Sequence, residues 1–377
     1  GGAWNGPILL YNALAKSLNI PALQVLEGIG FDAAIDRASI LLGITDPVEK
    51  RRTFPRVYPL GLGIISVSPL QMARAFSIFA NQGREVTPIA IRSIEDRNGR
   101  IVMATEQDAR KRQQNLGEDM QVITPQNAWV MTSLLKKGVE IGTLASGAGY
   151  GAKFAFTDKD GKRYRIPAAG KTGTTDNWSD AWTVGYTPYY TTAVWYGFDR
   201  QGNSLGTNQS GAVLAGPVWG DYMREIHQGL PMRDFLKPST GIVDVAVCTK
   251  SGLLPTSACN EGTVSLSFLD RTQPTQYCNV HGANATIASK SPTETIRTNI
   301  ISGLNDDKLL SGLKMPTLNI DLSVTRPVQS SPATGATSPY SRNPFFDEEA
   351  ESAESVPLVP QSPSASSLDL PYNPLLD

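Results

Sequence analysis

Apolar positions in the early part of the chain recur at helical spacing. Within 6–43, Leu10, Ala13, Leu14 and Leu18 fall three to four residues apart, the period that lays one apolar stripe along a helix. Pro7 and Pro21 suit first helical turns, Gly30 suits a stop, and Asp32 is placed to cap the helix that follows. Ser68-Pro69-Leu70-Gln71 joins a hydroxyl cap, a proline at the first helical position and a glutamine three residues on. That combination predicts a capping box opening a helix that ends near Gly83.

The period then changes. Residues 89–105 alternate around Asn98-Gly99, which predicts a hairpin, and Asp160-Gly161 predicts a second hairpin turn. Between them Thr124-Pro125 opens a helix reaching about Gly138. The runs 168–175, 181–186 and 192–198 read as strands, and 213–228 as a helix covering them. Helices outside and strands late predict an α/β (α+β) sandwich on an antiparallel sheet, within a main domain over 1–236.

Beyond this domain the character shifts twice. Residues 237–300 carry all three cysteines among short β-prone pieces and read as a small appended module. Residues 301–377 become rich in serine, proline and acidic residues, too little apolar surface to offset the entropy of ordering. They read as a mostly disordered tail, in which Asn343-Pro344-Phe345-Phe346 and Leu370-Pro371-Tyr372-Asn373-Pro374 are isolated aromatics.

Charge narrows the function. Lysine plus arginine (34) nearly cancels aspartate plus glutamate (35) among the 377 residues, so no overall field draws in nucleic acid or an anionic membrane. No apolar run reaches the roughly 18 residues of a membrane span, and no signal-like segment opens the chain. The start, Gly1-Gly2-Ala3-Trp4, lacks an initiator methionine and reads as that of a fragment with further elements upstream. His227 and His281 are the two histidines, and neither adjoins a nucleophile-like motif. Acyl chemistry, if present, therefore rests on lysine rather than on a Ser-His-Asp triad.

The strongest chemical signal is Ala169-Gly170-Lys171-Thr172-Gly173-Thr174-Thr175. It puts a cation, hydroxyls and glycines on one expected edge strand. The missing side chain at Gly173 lets another backbone approach, as for a peptide added along the edge. Lys171 with the Thr172 and Thr174 hydroxyls suits an anionic group such as a terminal carboxylate. Upstream, Ser17-Leu18-Asn19 closes a helix. A Ser-x-Asn followed by a Lys-Thr-Gly gives two of the three elements of the serine β-lactamase and penicillin-binding protein set, in order.

With these motifs, and with 6–22, Ser66-Val67-Ser68-Pro69-Leu70-Gln71-Met72-Ala73, Phe79-Ala80-Asn81-Gln82-Gly83 and Val184-Gly185-Tyr186-Thr187-Pro188, the chain resembles the transpeptidase domain of class A penicillin-binding proteins over about the first 280 residues. The resemblance implies a β-lactamase/transpeptidase-like fold and a peptidoglycan D-alanyl-D-alanine transpeptidase working through a serine acyl-enzyme, with stem peptides and β-lactams as ligands and no cofactor. It implies that Ser17 relays protons, Asn19 bonds the substrate amide, Lys171 supplies positive potential, and Thr172, Gly173, Thr174 and Thr175 line the substrate, with the Thr174 backbone N–H in the oxyanion hole. It also implies an extracytoplasmic location, a membrane anchor and a glycosyltransferase domain upstream, and contacts with other cell-wall synthesis proteins. A serine β-lactamase or carboxypeptidase relative and a non-catalytic scaffold of the same fold are the competing readings.

One element departs from the pattern. The family's Ser-x-x-Lys nucleophile segment precedes Ser-x-Asn by a few dozen residues, and only 16 residues precede Ser17. The expectation is a parent enzyme and a fragment inactive alone. Ser133-Leu134-Leu135-Lys136 and Ser311-Gly312-Leu313-Lys314 repeat the bare pattern, the first on a helix surface and the second at the edge of the tail. In the module, Cys248, Cys259, Cys278 and His281 offer four zinc-type donors. The oxidising compartment implied by the resemblance favours instead a Cys259–Cys278 disulfide, a free thiol and no metal.

Overall fold

Local chemistry sets the element boundaries that the computed structural model displays; it describes residues 6–282, apart from 159 and 201. The expected tail, its aromatic motifs and Ser311-Gly312-Leu313-Lys314 lie outside the described residues.

Three helices open the chain: α1 (Leu10–Ala15), α2 (Asn19–Ile29) and α3 (Phe31–Leu42). Gly30, at φ 80°, separates the last two, as expected. Asp32 does not cap α3; it sits inside the first turn and pairs with exposed Arg56. An aspartate cap forms one helix later: Asp46 accepts from the Val48 and Glu49 amides at 2.9 and 2.8 Å and opens α4 (Pro47–Thr53). In α1 the buried positions are Tyr11, Ala13 and Ala15, while Leu10 remains 53% exposed.

The capping box forms at the head of α5 (Pro69–Ala80): Gln71 N–H donates to Ser68 Oγ at 3.2 Å, and Ser68 N–H to Gln71 Oε1 at 2.9 Å. The Asn98-Gly99 hairpin joins short strands β1 (Ile94–Glu95) and β2 (Ile101–Met103). A helix without an apolar stripe follows, α6 (Thr105–Leu116); it buries no residue and is laced by Arg92–Glu106 and Arg110–Glu106 pairs. Hydrophobic periodicity gives no sign of such a helix.

Next come α7 (Pro125–Glu140), capped by Thr124, the short turns α8 (Leu144–Gly147) and α9 (Tyr150–Lys153), and the hairpin β3 (Ala155–Thr157) and β4 (Arg163–Arg165). The main sheet is antiparallel, in the order β5 (Ala169–Thr174), β6 (Ala181–Tyr186), β7 (Thr191–Tyr196), and α10 (Gly216–Ile226) follows it. Residues along a strand alternate in facing, and the two faces have different covers. Tyr186 meets Thr132 of α7 and Phe76 of α5, whereas Gly185 lies so close to the Trp219 ring of α10 that a Cβ there would come within 2.5 Å. The sheet is thus sandwiched between α5 and α7 on one side and α10 on the other, with Val139, Leu144, Phe154, Trp219 and Met223 packed into one core.

Finally β8 (Ile242–Cys248) and β9 (Thr263–Leu269) form a separate antiparallel hairpin. It docks on α7, where Trp129 Nε1–H donates to Ser267 Oγ at 3.1 Å.

Candidate functional site

The site begins at a helix end. Ser17 N–H donates to Leu14 O at 3.1 Å and Leu18 N–H to Ala13 O at 2.9 Å, a paired closure of α1 whose middle residue takes the left-handed conformation. Glycine usually fills that place, but here Ser17 holds φ 56°. A non-glycine residue there costs about 1–2 kcal/mol, and such strain gathers at functional positions. The helix end is tied to the core because Thr143 N–H, just past α7, donates to Ala15 O at 3.1 Å.

Across from it lies β5, a terminal strand of the sheet. Lys171 Nζ donates to Ser17 Oγ at 2.6 Å and to the Thr172 carbonyl at 2.7 Å, joining residues 154 positions apart. Lys171 is half-buried, and desolvation pulls its pKa down to about 8. Among the described residues no carboxylate offsets that desolvation, so the ammonium is available to an incoming anion.

Strand geometry divides the other expected ligands. Lys171 pairs with Val184 and shares the α7 face with Ala169 and Tyr186; Thr172 and Thr174 point to the α10 face. Thr172 is 8% exposed, and its hydroxyl bonds to Thr143 Oγ1 at 2.7 Å. Thr174 Oγ1 accepts from Gly211 N–H at 3.0 Å, which leaves its own proton free to donate. Lysine and threonines therefore meet one ligand only along the free edge of the strand, and Thr172 is committed internally. Thr175 turns away: its hydroxyl donates to Asp180 Oδ2 at 3.1 Å and accepts from Asp180 N–H at 2.7 Å.

At Gly173 the missing side chain faces the neighbouring strand, where a Cβ would meet Trp182 Cβ at 3.3 Å. Gly211 is the close approach: a Cβ there would sit 2.5 Å from Gly173 O. Asn19 opens α2 with an exposed side chain. Thr143 and Gly211 are site residues that no motif announces. Their signal is spatial, since each bonds a β5 threonine from a distant segment. Ser133 is an ordinary helix serine whose Oγ donates to Val130 O at 2.7 Å.

The family described as "Penicillin binding protein transpeptidase domain" matches residues 5–223, more than half the chain, and "Penicillin-binding protein 1A, C-terminal domain" matches 238–283. The chain belongs to the penicillin-binding protein transpeptidase family. Penicillin-binding protein 1A of Aquifex aeolicus is 33% identical over 273 residues, covering 72% of this chain and 33% of that protein. Its Pseudomonas aeruginosa namesake is 31% identical over 66% of this chain and 32% of its own length. The chain thus spans about a third of the curated relatives it matches. The crystal structure of penicillin-binding protein 1A from Haemophilus influenzae superposes with a TM-score of 0.58 at 25% identity, over 73% of this chain and 42% of that one. The transpeptidase fold, helices around an antiparallel sheet, is the one expected.

In the C-terminal module, Cys259 and Cys278 are not joined. All three cysteines are free. The loops bring the three sulfurs and the His281 ring to one point, so no two cysteines are set apart as a pair.

Proposed function

We propose that this penicillin-binding protein chain carries the carboxylate-binding and proton-relay side of a serine acyl-transfer site for D-alanyl-D-alanine stem peptides of peptidoglycan, the site β-lactams occupy. The observation that carries it is the 2.6 Å contact from Lys171 Nζ to Ser17 Oγ. Lys171 attracts the terminal carboxylate. Ser17, held by that cation, passes the proton of the attacking serine to the leaving amine and, in the second step, the proton of the entering amine back to the serine oxygen as it departs. The free proton of Thr174 Oγ1 reaches the carboxylate along the strand edge, and its N–H is assigned to the oxyanion hole, a contact worth about 3 kcal/mol of barrier. Asn19 bonds the substrate amide. The nucleophile belongs to a Ser-x-x-Lys element, which does not occur ahead of Ser17 in these residues.

The same proposal puts the whole protein outside the cytoplasmic membrane, anchored through upstream sequence and joined to a glycosyltransferase domain. Among the described residues no helix is long and apolar enough to cross a membrane.

The test uses the 377-residue chain. Titrated with an N-acylated D-alanyl-D-alanine peptide, it should show amide shifts over 171–174 that penicillin competes away and Lys171→Met abolishes. Shifts elsewhere only, or none, overturn the assignment. Labelled penicillin should leave no covalent adduct; an adduct on Ser17 would make it the nucleophile and sink its role as relay.

A further inference from the structure

We infer that Cys248, Cys259, Cys278 and His281 form a structural zinc site that closes the C-terminal module. Their ligand atoms all lie within 4.8 Å of one another, and among the described residues this is the metal-competent group that also lies largely out of solvent. His281 Nδ1 stands 3.4 Å from Cys248 Sγ and 3.3 Å from Cys278 Sγ. A tetrahedral ion bound at about 2.3 Å by sulfur and about 2.1 Å by nitrogen separates its ligands by about 3.6–3.8 Å. The two His281–sulfur distances need only a few tenths of an ångström of expansion to admit the ion, and the longest separation in the group, within 4.8 Å, a contraction of about 1 Å. Three thiolates and one imidazole with no open position is a donor set selective for zinc and typical of a structural role.

The scaffold is built for convergence. Cys248 ends β8, and its N–H donates to Leu253 O at 2.9 Å, folding the following turn back over it. Leu254 grips the segment that bears Cys278, through Leu254 N–H to Gln276 O at 2.9 Å and Cys278 N–H to Leu254 O at 2.8 Å. Amides support two of the sulfurs: Lys250 N–H reaches Cys248 Sγ at 3.4 Å and Thr256 N–H reaches Cys259 Sγ at 3.3 Å. With Nδ1 turned to the thiols, His281 Nε2 faces Glu261 Oε1 at 3.8 Å. That is the carboxylate–histidine arrangement that fixes the tautomer of a metal-binding imidazole. Binding displaces the thiol protons to solvent, and the site carries one net negative charge beside Lys250, which pairs with Glu261 at 2.8 Å.

The physical need is plain. A two-stranded hairpin is marginal by itself, and domains of this size draw on metals or disulfides to supplement a small core. The matched C-terminal domain, 238–283, encloses all four ligands and ends just past His281. A Cys259–Cys278 disulfide would spend two of the thiols and leave Cys248 Sγ and His281 Nδ1 with no use for their convergence.

Elemental analysis of the full chain, purified without chelator or reductant, should find one zinc per molecule, and thiol titration in denaturant with chelator should count three free thiols. Cobalt substitution should give the sulfur-to-metal charge-transfer and visible bands of a tetrahedral site. His281→Cys should retain metal with an altered cobalt spectrum, His281→Ala should lose it, and Glu261→Gln should weaken affinity about 10-fold. A metal-free chain with one free thiol, or zinc retained undiminished in a Cys248→Ser, Cys259→Ser double variant, would overturn the inference.

Discussion

Lys171 is a cation that the fold half-buries without a fixed counter-charge, so its protonation is linked to both stability and binding. Its folded pKa of about 8 lies below the unfolded value, so the folded chain gives up its proton first as pH rises. The cost of burying the charge is present in full below about pH 8 and is relieved towards the unfolded pKa of about 10.4. Replacing Lys171 by Met should therefore raise the urea midpoint at neutral pH, by an amount on the order of 1 kcal/mol after screening, and the gain should vanish in alkali. The same titration should weaken carboxylate-peptide binding above about pH 8, a dependence calorimetry on wild type and variant will separate. His227 follows the same logic in a lower pH window. Buried between Thr187 Oγ1 at 2.7 Å and the Met223 carbonyl at 2.5 Å, it has a pKa lowered chiefly by desolvation. Unfolding takes up a proton there, so stability should fall as pH drops below about 6.5, and His227→Gln should flatten that branch in urea titrations.

At the scale of elements, caps and close approaches dominate. Ser68→Ala removes one half of an observed capping box and should cost about 1 kcal/mol in denaturant unfolding. Asp32→Ala should move the midpoint less than Ser68→Ala does, because that carboxylate caps nothing and keeps only its exposed pair with Arg56. Gly138 brings α7 against β5: a Cβ there would stand 2.5 Å from Gly170 O, which is backbone and cannot swing aside. Gly138→Ala should force helix and strand apart, destabilising by about 1–3 kcal/mol. It should also weaken peptide binding, since α7 and the turn after it hold the end of α1 where Ser17 meets Lys171.

In the whole molecule, the cysteine-bearing module is coupled to the transpeptidase domain through α7. Trp129 donates to Ser267, and Gln126 Nε2–H donates to Thr240 O at 3.2 Å. Trp129→Phe keeps the ring and deletes the donor. Amide exchange in β8 and β9 should then accelerate while α7 retains its protection, and equal acceleration in both would show that the module and the domain open together.

Much of this architecture is legible in the sequence because it is local. The Ser68 and Thr124 caps, the Asn98-Gly99 and Asp160-Gly161 turns and the strand-like runs of β6 and β7 depend on residues a few positions apart, whose hydrogen bonds and steric limits are written in sequence. Helix α6 escaped because a helix that buries nothing leaves no apolar period. The Asp32 assignment failed because a residue suited to capping does so only where the backbone turns, and here it turns at Gly30. The motif Lys171-Thr172-Gly173-Thr174, together with Ser17-Leu18-Asn19 and the flanking stretches, pointed to the family, but only the sheet decided that lysine and threonines face opposite sides and that Thr172 is held by Thr143. Likewise, spacing left the cysteines undecided between disulfide and metal, and the folding back of the 249–254 turn brought four donors together. Contacts across such long separations are fixed by packing of whole elements, and that information belongs to the assembled chain.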